Sequence, residues 1–230
     1  MQQRPIHYLQ YDPAWGGIMF SNHGDPNQTI ASSGCGATTM AMVAATFIDS
    51  GIDPPTIAQF VLDNGYRTYN DGVDWGFFAF AAEYYHLPFK NTGSTDEVIE
   101  ALQNGALVVA SMGPGYFTSY GHYILLWGLD GVGNILVNDP NSVVRTQASY
   151  GLFREQAANY FIFYPKPTVQ EVLNMFADMM GHWAAGDVEF LEQKGIIQGD
   201  GSGGFNPDAP ITRAEAAALI ARTLRLLGIQ

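Results

Sequence analysis

The feature that most restricts the fold is the run Ala37–Phe47 (ATTMAMVAATF), small or apolar on nearly every helical face. A helix with no polar side has to be covered all round, so the chain must supply further layers to enclose it. Its 230 residues, 47% of them hydrophobic, suffice for that and exclude disorder, collagen-like repeats or a disulfide-stapled miniprotein. Helical signals recur at Thr56–Asn64, at Trp75–Tyr85 and at Asp96–Gln103, where Ser94 or Thr95 supplies a cap. Then the period changes. Ala106–Ser111, His122–Leu129, Asn134–Asn138 and Tyr160–Tyr164 are short, apolar or aromatic, and bounded by Gly, Pro, Asn or Asp, which predicts strands. Asp130-Gly131-Val132-Gly133 predicts a hairpin between the middle two. Helices first and strands afterwards predict an α+β fold, with the helices packed to one side of an antiparallel sheet.

Pro165-Lys166-Pro167 stiffens the chain and cannot join a ladder, so a boundary is placed there. The expected division is a domain over 1–165, a linker over 166–175 and a small all-α module over 176–230. In that module Val188–Lys194 reads as helix and Gly199–Pro207 as a Gly-rich loop. A last helix opens on Pro210 and runs to about Leu227, with Thr212 and Glu215 spaced as a capping box. Asp200–Asn206 lacks the alternating carboxylates and terminal Glu of a calcium loop and reads as a turn. Against 22 acidic residues stand 10 basic ones, a formal charge of −12, which repels phosphate backbones and argues against a nucleic-acid partner. Residues 1–165 hold 5 basic and 14 acidic side chains and the remainder 5 and 8, so neither part hides a basic patch. Ala101–Leu129 carries no charge, yet Gly113-Pro114-Gly115 breaks it into pieces shorter than the ~20 apolar residues a span requires. No apolar h-region follows Met1, and the chain is expected to be soluble.

One cysteine permits no internal disulfide and no Cys-based zinc cluster, and no metal or cofactor is expected. That residue, Cys35, sits in Ser33-Gly34-Cys35-Gly36-Ala37-Thr38 at the mouth of the apolar helix. Free N–H groups and the helix dipole at such a position lower a thiol's pKa, and flanking glycines would let a carbonyl substrate approach the backbone. A buried structural cysteine is the competing reading. A thiolate nucleophile needs a base, and the base an orienter. His7, His23, His86 and His182 lie in loops or element ends, whereas His122 opens an apolar strand. Pairing about the predicted hairpin brings Asp139, in Val137-Asn138-Asp139-Pro140, towards the His122 end. Taken singly, His122 reads as a strand-edge residue and Asp139 as a turn former before proline. Together with Cys35 they form the constellation of a nucleophilic triad.

Gln10-Tyr11-Asp12-Pro13-Ala14-Trp15, Ser33–Val43 (SGCGATTMAMV), Gly121-His122-Tyr123-Ile124 and Val137-Asn138-Asp139-Pro140 occur in the order found in C39-like cysteine peptidases of the papain superfamily. The chain resembles them over residues 7–164. The resemblance implies a papain-like domain in which Cys35 is nucleophile, His122 general base, Asp139 orienter and Gln10 donor to the oxyanion. Asn138 is the reserve orienter. Gln10 is preferred over the nearer Gln28 for its Gln-Tyr-Asp context, with the residues between read as an inserted loop. Trp75, in the Asp71–Trp75 loop, and Tyr116 and Tyr120, in the Gly115–Tyr120 loop, are the expected substrate-binding residues.

Phe176-Ala177-Asp178-Met179, Gly181-His182-Trp183-Ala184, Gly195–Gly199, Phe205-Asn206-Pro207 and Ile211–Glu215 follow a surface-layer-homology repeat in register. This resemblance, over 176–228, implies anchoring to a secondary cell-wall polymer, with Trp183 and Arg213 at the glycan site. Trp183 reads equally well as core. The related proteins usually carry three such repeats, so a single one implies either a homo-oligomer between chains or a packing module. Fused, the two parts imply a cysteine peptidase that cuts peptidoglycan peptides, outside the cell or on its wall, released by phage or with its export signal trimmed. The alternatives are a non-catalytic binder of wall peptides and a leader-peptide-processing peptidase.

Overall fold

In the computed structural model, which describes residues 4–166, 176–201 and 203–226, the apolar run becomes helix α2 (Cys35–Phe47), buried from Gly36 to Ala45. A one-turn helix α1 (Ile30–Ser33), capped by Thr29, leads into it. Between them Gly34 is obligatory, because a Cβ there would stand 2.5 Å from the Ile30 carbonyl oxygen. Helices α3 (Pro54–Asp63) and α4 (Gly76–Tyr84) follow, α3 capped by Asp53 and opened by proline. Then come β1 (Phe89–Thr92), α5 (Thr95–Gln103), β2 (Leu107–Met112), β3 (His122–Leu129), β4 (Asn134–Asn138), β5 (Gln147–Ser149), α6 (Tyr150–Gln156) and β6 (Ala157–Phe163). Ser94 caps α5 as expected, its hydroxyl accepting from the Glu97 N–H.

The six strands form one antiparallel sheet in the order β1-β6-β2-β3-β4-β5. Helices cover both of its faces, not one. Leu107, Val109, Leu125, Phe161 and Phe163 pack with α2, α3 and α4, while Val108, Ala110, Ile124, Leu126 and Ile162 pack with α5 and α6. The reason was present in the strand residues: β2 and β3 are nearly continuous apolar runs, the mark of a sheet buried on both sides. A one-sided sheet would have alternated. The hairpin forms at Asp130–Gly133, where the Asp130 carboxylate accepts from the Val132 and Asn134 N–H groups. A bulge at Trp127 shifts the β3–β4 register and leaves Asn138 opposite Leu125.

The described residues fall into two compact units, Met1–Pro165 and Lys166–Gln230. Most of the expected linker, 167–175, lies outside the described residues. In the second unit a short 3₁₀ turn (Ala177–Met179), α7 (Ala185–Gln193) and α8 (Arg213–Leu226) surround Phe176, Met179, Val188, Ile196 and Ile197. Asp178 accepts from the Phe205 and Asn206 N–H groups, and Asn206 takes a left-handed φ of 55° at the end of the Gly-rich loop. The Thr212–Glu215 capping box is formed in both directions. Among the described residues no helix is long and apolar enough to cross a membrane.

Candidate active site

Cys35 is the first residue of α2 and is partly exposed. The first turn of that helix is tied to the start of β3 by Thr39, whose hydroxyl lies 2.7 Å from the Cys35 carbonyl oxygen and 3.3 Å from that of Tyr123. This brings the sulfur within hydrogen-bonding reach of His122, the first residue of β3. On the other side of the ring, His122 Nε2 meets Asp139 Oδ1 at 2.7 Å, with the carboxylate fully buried. With Nε2 so engaged, Nδ1 is the ring nitrogen left for the thiol.

Asp139 is held from several directions. Its Oδ1 also accepts from the Asn141 N–H, Arg145 Nε donates to Oδ2 at 2.6 Å, and its backbone oxygen lies 2.7 Å from His7 Nε2. Asn138 has other work: its Oδ1 accepts from Arg4 and its Nδ2 donates to the Pro5 oxygen. The side chain facing the ring is therefore that of Asp139.

The charges follow from this geometry. Burial pushes the Cys35 thiol up, but the hydrogen bond and charge of His122, with backbone contacts at Tyr123 and Gly36, outweigh it and leave the pKa lowered. Burial pulls His122 down, yet its bonds to Asp139 and Cys35 raise it to about 9. Asp139, raised by burial, is brought below the ordinary carboxylate range by His122, the Asn141 N–H and Arg145. Thiol down and imidazole up together favour moving the proton from sulfur to ring.

Gln10 is buried beside the same helix entrance. Its Nε2 donates to the Ala31 carbonyl at 2.6 Å and its Oε1 has no protein partner. Gln28 instead accepts from Arg67 and donates to the Tyr69 oxygen, bridging two loops. The flanking glycines serve packing: a Cβ on Gly36 would touch Val73 and the Tyr123 ring at 3.0–3.1 Å, so neither glycine is kept open for a substrate. Trp75, half-exposed, stands edge-on to Phe161 and contacts Tyr123. Tyr116 and Tyr120 are exposed on the loop that leads into His122. In the second unit Trp183 is 87% exposed, which removes the core reading, and Arg213 opens α8 with an exposed side chain. A cleft there is lined by Phe205, Pro207, Ile211 and Arg222; neither Trp183 nor Arg213 lines it.

Sequence reasoning missed Arg4, Arg67 and Arg145. A usable signal existed: only five cationic side chains occur in residues 1–165, and three of them bond to Asn138, Ser33 and Asp139.

A thiol at a helix mouth, an imidazole at a strand start and a buried carboxylate beyond it, on an antiparallel sheet enclosed by helices, define a papain-like, peptidase-type domain. The chain belongs to the Peptidase_C39 like family, which matches residues 19–166, and an S-layer homology domain matches residues 176–217. It is 41% identical over 51 residues to an uncharacterised cell wall amidase of Bacillus anthracis, covering 22% of this chain and 10% of that protein. It is 44% identical over 54 residues to a cellulosome-anchoring protein of Acetivibrio thermocellus, covering 24% and 12%. The chain thus spans about a tenth of the length of these curated relatives. Among solved structures, the peptidase domain of Streptococcus ComA, a bi-functional ABC transporter, aligns with 58% of this chain and 93% of that one at 18% identity and a TM-score of 0.46.

Proposed function

We propose that the protein is a cysteine endopeptidase acting on the peptides of bacterial peptidoglycan, held at the cell surface by its S-layer homology domain. The observation that carries the catalytic reading is the relay from Cys35 through His122 to the buried Asp139. The Cys35 thiolate attacks the scissile carbonyl carbon, and the carbonyl π electrons move to oxygen. The Cys35 backbone N–H and the second N–H of Gln10 Nε2 receive that oxyanion; one such donor is typically worth about 10²–10³ in rate. Imidazolium His122 then gives its proton to the departing amine, leaving an acyl thioester. A water molecule deprotonated by His122 attacks the thioester, the acid departs and the thiol is restored. Asp139 fixes the ring and Arg145 fixes Asp139. Trp75, Tyr116 and Tyr120 offer aromatic surface for the peptide.

The wall substrate is supported by the S-layer homology match and by similarity to a protein named as a cell wall amidase. Tethering to the polymer raises the local concentration of substrate. Purified walls incubated with the protein should release free amines, and the Cys35→Ala variant should release none above background. Mass spectrometry of the fragments names the bond; equal release by both proteins overturns the reading.

A further inference from the structure

Arg67 is 2% exposed, and all five of its N–H groups are used. Nε donates to the Phe20 oxygen, Nη1 to the Thr68 and Gly72 oxygens, and Nη2 to Gln28 Oε1 and Ser33 Oγ, at 2.8–3.1 Å. The guanidinium also lies 4.7 Å from the Phe20 ring centroid. Every acceptor is neutral. Burying a cation without a carboxylate is costly, and a charge so placed is felt strongly by its neighbours. One of the bonded atoms belongs to Ser33, two residues before the lone cysteine, and the loop carrying Gly72 lies against the Ser33 backbone. The ionisable groups that feel the guanidinium are Cys35 and the exposed Asp71; the thiol itself is also faced by His122 and the Tyr123 phenol.

We propose that Arg67 is an electrostatic positioning residue, which holds the segment entering α2 and supplies a buried positive charge, hydrogen-bonded to no carboxylate, favouring the Cys35 thiolate. The proposal rests on the reading of Cys35 as nucleophile. An arginine stays protonated throughout the working pH range, so the charge is constant while the thiol titrates.

The test follows iodoacetamide alkylation against pH by intact mass, in which a single cysteine makes the labelled site unambiguous. Variants are Arg67→Gln, Arg67→Lys and Gln28→Glu, the last placing a compensating carboxylate on the intact guanidinium; circular dichroism checks that each folds. Arg67→Gln and Gln28→Glu should move the alkylation curve up by about a unit, which slows labelling about tenfold at pH values below the wild-type midpoint. Arg67→Lys keeps the charge and should titrate near wild type. A folded Arg67→Gln or Gln28→Glu protein with the wild-type profile overturns the proposal, as does Arg67→Lys shifting as far as Arg67→Gln. Should Arg67→Gln not fold, Gln28→Glu decides. If the wild-type thiol itself titrates in the ordinary range and His122→Ala leaves it unmoved, the nucleophile reading fails instead.

Discussion

In the Met1–Pro165 unit every residue from Leu107 to Ala110 is fully buried, whereas helix α8 of the Lys166–Gln230 unit buries none of its fourteen residues. The first unit encloses a sheet between two helical layers, and the side chains of its site are fixed by packing as much as by hydrogen bonds. Among its described residues the second has five buried hydrophobic side chains and leaves Ile211, Ile220 and Leu224 exposed. Few buried side chains mean little hydrophobic stabilisation, so capping and backbone contacts carry more of its order. Arg222 donating to the Ile196 oxygen and Asp178 gathering two loop N–H groups are of that kind.

The sharpest way to break this contrast is to remove the relay. Cys35→Ala or His122→Ala should lower kcat/KM by about 10⁴-fold or more, read by fragment release from walls, with the melting curve of the first unit kept in Cys35→Ala and lowered in His122→Ala, which strips the buried Asp139 of its ring partner. Asp139→Asn, which spares volume but loses the charge that orients His122, should cost somewhat less, about 10³–10⁴-fold. On the alkaline side kcat/KM should fall about tenfold per pH unit once His122 loses its proton above about 9. The sign for stability agrees. The His122 pKa is raised from 6.5, so its protonated ring stabilises the fold fully below 6.5, and that contribution is lost as pH rises through about 9. Melting temperatures across that range check it.

Stability separates the units next. Phe163→Ala, in a fully buried position, should cost about 3–5 kcal/mol by denaturant unfolding, while Ile220→Ser on α8 should stay within about 0.5 kcal/mol. A large loss at Ile220 would mean that its face is covered in solution. Between those two values falls Thr212→Ala, expected to cost about 1 kcal/mol from the lost cap of α8, seen as reduced helicity.

The central strands are legible in the sequence: His122–Leu129 and Asn134–Asn138 match residue for residue, because apolar runs bounded by turn formers leave one reading. The edges are not. β1 (FKNT) and β5 (QAS) are short and largely exposed, and only pairing with a neighbour makes them strands. The approach of Asp139 to His122 follows from hairpin pairing, which is local. Two of the arginines are bound across long separations, Arg67 to Ser33 and Arg4 to Asn138, and no periodic signal announces such a contact.

Gly34 leaves no space for even one more carbon at the hinge between α1 and α2. The joint that delivers the sulfur is thus closed to any added side chain: a substituent at position 34 has to displace the preceding turn, and the cysteine with it.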